Sequence, residues 1–157
     1  MELKRVVITG LGALTPIGNS VNEYWESLVN GVSGAAPIQQ FDASKFKTQF
    51  ACELKNFNVQ DHLDRKEARK LDQFSQYAMV STAEAMADSG IDLEKINLNR
   101  AGVIWGSGIG GLKTFQDEAT SFALGDGTPR YNPVSYTHLR AHETSLHLVC
   151  RLLLEKT

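Results

Sequence analysis

The turn at residues 106–111, Gly-Ser-Gly-Ile-Gly-Gly, constrains this chain more than any other stretch. It is fed by Ala101, Gly102, Val103, Ile104 and Trp105, a short apolar run of the kind that forms a buried strand. Four of the six turn residues are glycine, which lacks Cβ and tolerates positive φ. Such a backbone can be approached closely by a phosphate, a substrate or another piece of protein, and the rest of the chain has to decide which.

A second apolar run with a glycine turn opens the chain. Arg5, Val6, Val7, Ile8 and Thr9 are mostly β-branched and continuous, the pattern of a strand buried on both faces of a parallel α/β sheet. Gly10 and Gly12 follow as the start of a dinucleotide-binding fingerprint would. Thr15 stands where the third glycine belongs, however, and Pro16 falls where the phosphate-cradling helix would run. Residues 30–40 also contain no acid to hold a ribose. No nucleotide cofactor is therefore expected; a nicotinamide-dependent oxidoreductase is a distant alternative that titration with NADPH would test.

Composition narrows the class further. A length of 157 residues suits one domain, and a formal charge of -2 argues against a general nucleic-acid or membrane-surface binder. Cys52 and Cys150 are too few and too far apart for a disulfide framework, so a reducing, cytoplasmic setting is expected. The apolar run before Gly10 is too short for a signal segment or a membrane span. Cys52 reads as a packed small hydrophobe and His62 as a surface or capping side chain.

Helices are expected at three places. Ser20 with Glu23 forms a capping box ahead of Tyr24, Trp25, Leu28 and Val29, and Gly31 supplies the stop of an amphipathic covering helix. A short strand is expected at residues 48–54, around Cys52. Residues 73–89 carry Phe74, Tyr77, Val80 and many alanines almost all round, as a buried helix does, with Asp72 as N-cap and Gly90 at the αL stop. Residues 112–124 form a third helix before Gly125. Between the first two lies a basic stripe, Arg65 over Arg69 and Lys66 over Lys70 at i,i+4 spacing. It is either a solvated face or a dock for an acidic partner. Cations beside a positive helix end are disfavoured for stability, which supports docking.

Several of these segments, taken together and in order, resemble the N-terminal part of a β-ketoacyl-acyl-carrier-protein synthase, the type II elongating condensing enzyme of bacterial fatty acid synthesis. They are residues 6–19, Phe41-Asp42, residues 65–72, residues 85–90 and the turn at 106–111. The resemblance covers residues 1–133. It implies an α/β, thiolase-like fold, present here as an incomplete N-terminal half with a mixed sheet covered by helices, and a homodimer. It also implies decarboxylative Claisen condensation, with a cysteine carrying the acyl thioester and two histidines assisting. Those three residues lie beyond the matching segment, so no catalytic residue is assigned, and no cofactor or metal is implied. Arg65, Lys66, Arg69 and Lys70 become the expected dock for acyl carrier protein. Gly108, Ile109 and Gly110 become acyl-pocket residues near the dimer interface, with Ile109 the residue expected to touch substrate.

Residues 134–157 depart from the family. Residues 134–144 resemble a translated reading frame of an adapter used in transposon-based sequencing libraries, so this tail is expected to be artefactual. His142, Glu143 and His147 imitate a zinc motif, but His142 and His147 are i,i+5, roughly 140° apart around a helix, and His138 does not repair the geometry. The expected function is thus an inactive piece of a condensing enzyme. The alternative is a non-catalytic carrier-binding or dimerisation module. Half of a layered fold would leave apolar faces bare and prone to aggregate.

Overall fold

The computed structural model describes residues 5–126 and residue 128. The tail, with Cys150 and the three histidines of the zinc-like motif, lies outside the described residues. The chain divides into two compact units. The first draws on residues up to His62 and on Met79–Gly102; the second draws on Leu63–Ala78 and the described residues from Val103 onward.

In the first unit, helix α1 spans Val21–Val29. The Ser20 hydroxyl accepts from the Glu23 N–H at 3.3 Å, as the capping pattern predicts. The reciprocal arm differs, since the Glu23 carboxylate accepts from the Asn19 N–H at 2.8 Å instead of that of Ser20. Ser20 is the cap by its extended backbone and its own hydroxyl, and Asn19 beside it is held by its amide, which donates to the Lys55 and Asn56 carbonyls. At the other end Gly31 takes φ +65 and donates to the Leu28 carbonyl, while the Val32 N–H reaches that of Ser27. Those two bonds define a Schellman stop, which L-residues with a Cβ resist. The apolar side of α1 is not covered: Trp25 is 63% exposed and Leu28 and Val29 are exposed with it.

Strands β1 (Ala36–Pro37) and β2 (Phe50–Ala51) pair antiparallel, Ala36 opposite Ala51 and Pro37 opposite Phe50. The strand expected at 48–54 is thus shorter. Cys52, just past it, is exposed and not packed, correcting the sequence expectation. His62 ends a 3-10 turn over Val59–Asp61 and stacks on Phe57 with ring centres 5.6 Å apart. Farther on, Asp92 closes an exposed turn; the Lys95 ammonium and the Glu94 N–H hold its carboxyl below the usual range. A lowered folded-state value means this turn is supported above the ordinary carboxylate range and loses that support as pH falls through the lowered value.

Two sequence expectations change. Residues 6–8 and 103–105 belong to no helix or strand and have no ladder partner among the described residues, and they are bare: Val6 is 88% and Ile104 88% exposed. A strand buried on both faces needs hydrogen-bonded neighbours and two covering layers, and the described residues supply neither. Helix α3 (Gln73–Ser89) has the expected bounds, and Gly90 ends it at φ +61. It is not buried all round, since Val80 is its one buried residue, while Met79 and Met86 are exposed. The described buried apolar residues of the whole chain are Ala43, Ala68 and Val80.

What does cover α3, from residue 79 on, is the segment after the first apolar run. A Cβ at Gly10 would sit 2.2 Å from the Ala85 carbonyl oxygen, and one at Gly12 would sit 1.9 Å from that of Ser81. The two glycines therefore serve backbone-to-backbone packing, not a pyrophosphate. Carboxylates of α3 lock the contact. Asp88 accepts from the Leu11 N–H at 2.9 Å. Glu84 accepts from the Ala13 N–H through one oxygen and from the Val21 N–H through the other, both at 2.8 Å. Hydrogen bonds to a charged acceptor contribute about 1.5–3 kcal/mol each where solvent is partly excluded. Glu84→Ala should lower the urea midpoint by the equivalent of about 2–3 kcal/mol, and Glu84→Gln, which keeps one acceptor oxygen, by clearly less.

Candidate carrier-docking turn and acyl-pocket turn

Both sequence-derived sites fall within the second unit. The basic stripe occupies α2 (Arg65–Ala68) and the two residues after it. Asp64 caps the turn, its carboxylate accepting from the Lys66 N–H at 3.1 Å. Helical bonding tightens after Ala68, with the Lys70 N–H bonded to the Glu67 carbonyl and the Leu71 N–H to that of Ala68. Ala68 is buried, whereas Arg65, Lys66, Arg69 and Lys70 are all exposed. None of the four has an ion-pair partner among the described residues; the ion pairs there are Lys95 with Asp92 and Lys113 with Asp117.

The turn is anchored from α3. The Gln76 amide donates to the carbonyls of Ala68 at 2.8 Å and Leu71 at 3.1 Å, satisfying acceptors that a helix end leaves open. Asp72 holds the expected cap position, its carbonyl accepting from the Gln76 N–H at 3.0 Å. The residue is 8% exposed, and its carboxylate accepts a hydrogen bond from the Thr114 hydroxyl. A buried carboxylate at the positive end of α3 offsets the helix dipole, so the neighbouring cations can stay free in solvent.

Thr114 lies in the first turn of α4 (Leu112–Leu124), which begins at the glycine turn. The four glycines of that turn separate into two kinds. A Cβ at Gly106 or Gly108 would meet nothing within 4 Å. At Gly110 it would lie 2.6 Å from the Phe74 ring, and Gly111 caps α4 at φ +70. Gly110 and Gly111 are buried, while Ile109 is 69% exposed. Gly108→Ala is therefore expected to change stability by less than about 0.5 kcal/mol. Gly110→Ala should cost about 1 kcal/mol or more by displacing Phe74, and Gly111→Ala about 1–2 kcal/mol through left-handed strain. Thermal unfolding of the three variants checks that order.

Sequence reading located both turns but missed what joins them. Asp72 was expected only as a cap, and Gln76, Phe74 and Thr114 carried no motif, because their partners are set by tertiary contact across as many as 42 positions. Among the described residues no group of histidines, cysteines and carboxylates could hold a metal. No described helix is long and apolar enough to cross a membrane.

Solved ketosynthases share this fold. The ishigamide ketosynthase/chain length factor superposes over 85% of this chain and 33% of its own, with a TM-score of 0.71 and 27% identity. A β-ketoacyl synthase from Burkholderia phymatum STM815 does so over 87% and 34%, with a TM-score of 0.67 and 29% identity. A type II polyketide ketosynthase solved in complex with its acyl-carrier protein matches over 97% and 38%, at a TM-score of 0.69 and 26% identity. The chain thus has the fold of the N-terminal part of thiolase-like ketosynthases.

The chain belongs to the β-ketoacyl synthase family through its N-terminal domain, which matches residues 3–139. It is 50% identical over 113 residues to 3-oxoacyl-[acyl-carrier-protein] synthase 2 of Staphylococcus aureus strain COL, covering 72% of this chain. The synthase of the same name from Synechocystis is 43% identical over 133 residues. The chain spans 27% of the length of the first relative and 32% of the second.

Proposed function

We propose that this chain supplies the carrier-docking surface and one wall of the acyl pocket of a β-ketoacyl-acyl-carrier-protein synthase that elongates fatty acids in the cytoplasm. The observation that carries the docking role is the set of four exposed cations on a turn braced by Gln76, with no ion-pair partner among the described residues. Cations held this way attract an acidic helix by electrostatic steering at little ordering cost. The partner proposed is acyl carrier protein, and a second subunit completes the pocket that Ile109 borders.

The chemistry joins an enzyme-bound acyl thioester to malonyl-carrier with loss of carbon dioxide. The thiolate nucleophile and the groups that stabilise the enolate oxyanion are not assigned to residues of this chain. Cys52, exposed just after β2, has neither a helix start nor a histidine beside it in sequence to activate it. The 157-residue polypeptide is therefore expected to bind carrier and not to condense.

Two measurements test this. Titration with acyl carrier protein should show binding that weakens steeply with salt; absence of binding would remove the docking role. Replacing the matching segment of the Staphylococcus aureus relative with residues 1–133 of this chain should preserve condensing activity. A chimera that folds and binds carrier but does not condense would favour the non-catalytic module.

A further inference from the structure

Residues 72–76, at the start of α3, touch both turns of the second unit. The Gln76 amide holds the Ala68 and Leu71 carbonyls at the end of the cationic turn, and the Gln76 N–H closes back on the Asp72 carbonyl. Two further contacts reach the glycine turn. The Asp72 carboxylate accepts from the Thr114 hydroxyl in the first turn of α4, and the Phe74 ring lies 2.6 Å from where a Cβ on Gly110 would fall.

These contacts are shielded from water. Asp72 is the one buried polar or charged residue among those described, and Gly110 and Gly111 are buried as well. A hydrogen bond to a carboxylate in such surroundings is stronger than an exposed one. Gly111 is also fixed from within α4, since its carbonyl accepts from the Phe115 N–H at 2.9 Å. The backbone on the C-terminal side of Ile109 is thus pinned to the first turn of α3, and that same turn carries the end of the cationic turn. Points fixed to one short helical turn keep a fixed separation.

We infer that Asp72, Thr114 and Phe74 are positioning residues that hold Ile109 at a set distance from the cationic turn, so that an acyl thioester arriving on a carrier docked at Arg65, Lys66, Arg69 and Lys70 meets the pocket wall in register. The inference rests on the docking and pocket-wall roles proposed above and requires no rearrangement on binding. Its consequence is kinetic. Carrier affinity belongs to the four cations, whereas alignment of the delivered acyl group belongs to residues 72, 74 and 114, and a misplacement of about 1 Å can cost on the order of a hundredfold in turnover.

The Staphylococcus aureus relative carrying residues 1–133 of this chain separates the two quantities. Thr114→Val, nearly isosteric but without the hydroxyl, should lower kcat about tenfold or more, while KM for the acyl-carrier substrate stays within about twofold. Phe74→Leu, which trims the ring from Gly110 and leaves the Asp72 pair in place, should give the same split and carries the test if Thr114→Val fails to fold. Thr114→Ser restores the hydroxyl and should restore kcat. Thr120→Val, an exposed change on α4, is the control and should leave both constants as they were. In the 157-residue chain, Thr114→Val should bind carrier as the parent does. Unchanged kcat in the folded variants overturns the inference, as does a loss carried wholly by KM or a Thr114→Ser chimera that stays slow. Failure of the parent chain to bind carrier removes the docking role, and an unsubstituted chimera that binds carrier without condensing removes the pocket-wall role; either takes the inference with it. An active chimera without the split removes the inference alone.

Discussion

Gly12→Ala should dismantle the packing of the first unit. The added methyl would lie 1.9 Å from the Ser81 carbonyl oxygen and 2.9 Å from the Ala85 backbone nitrogen. Both atoms belong to the α3 backbone and cannot rotate away, so the segment itself must leave the helix. Its departure also strains the bonds from the Leu11 and Ala13 amides to Asp88 and Glu84. Overpacking costs about 1–3 kcal/mol even where side chains can adjust, and more is expected here. Gly31→Ala provides the contrast, because its φ of +65 imposes strain but no atom lies within 4 Å. That variant should lose only about 1–2 kcal/mol. Urea titration followed by circular dichroism, with amide exchange in the second half of α3, distinguishes the two. Equal stabilities would refute the close approach.

Reversing the cationic turn should eliminate carrier binding. Lys66→Glu, Arg69→Glu and Lys70→Glu are exposed changes on a turn whose geometry comes from Asp64, Gln76 and the buried Ala68, so the fold is expected to be indifferent to them. Each exchanges an attraction to an acidic helix for a repulsion, expected to weaken binding about tenfold. The triple variant should show no measurable association by fluorescence anisotropy. Lys113→Glu, on α4 and already paired with Asp117 at 3.2 Å, is the matched control and should change affinity little. The parent's affinity should fall with added salt as the Debye length shortens. A parent insensitive to salt, or a triple variant that binds normally, would mean that the stripe is a solvated face.

Local chemistry was the most legible part of the fold. The bounds of α3 and α4, the Ser20 cap and the αL glycines at 31 and 90 follow from contacts within four or five residues, which sequence spacing specifies directly. The four cations and the turn containing Ile109 were likewise found by pattern. Strands were misread as buried because an apolar β-branched run states only a preference for burial. Val6 and Ile104 have that preference, but no described segment lies beside them to satisfy it.

The glycine turn shows the same division more sharply. Residues 106–111 read as a backbone that a phosphate, a substrate or another piece of protein approaches closely, and only the family resemblance favoured an acyl pocket, without naming the neighbour. Tertiary contact made Gly110 the site of that approach, with the Phe74 ring as the approaching group, and left Gly106 and Gly108 open. The physical reason is one of range. Capping, helix periodicity and charge spacing are local interactions written in consecutive residues. Which carboxylate meets which hydroxyl, as Asp72 meets Thr114, depends on how distant segments are packed together, and nothing in either residue's neighbourhood encodes it.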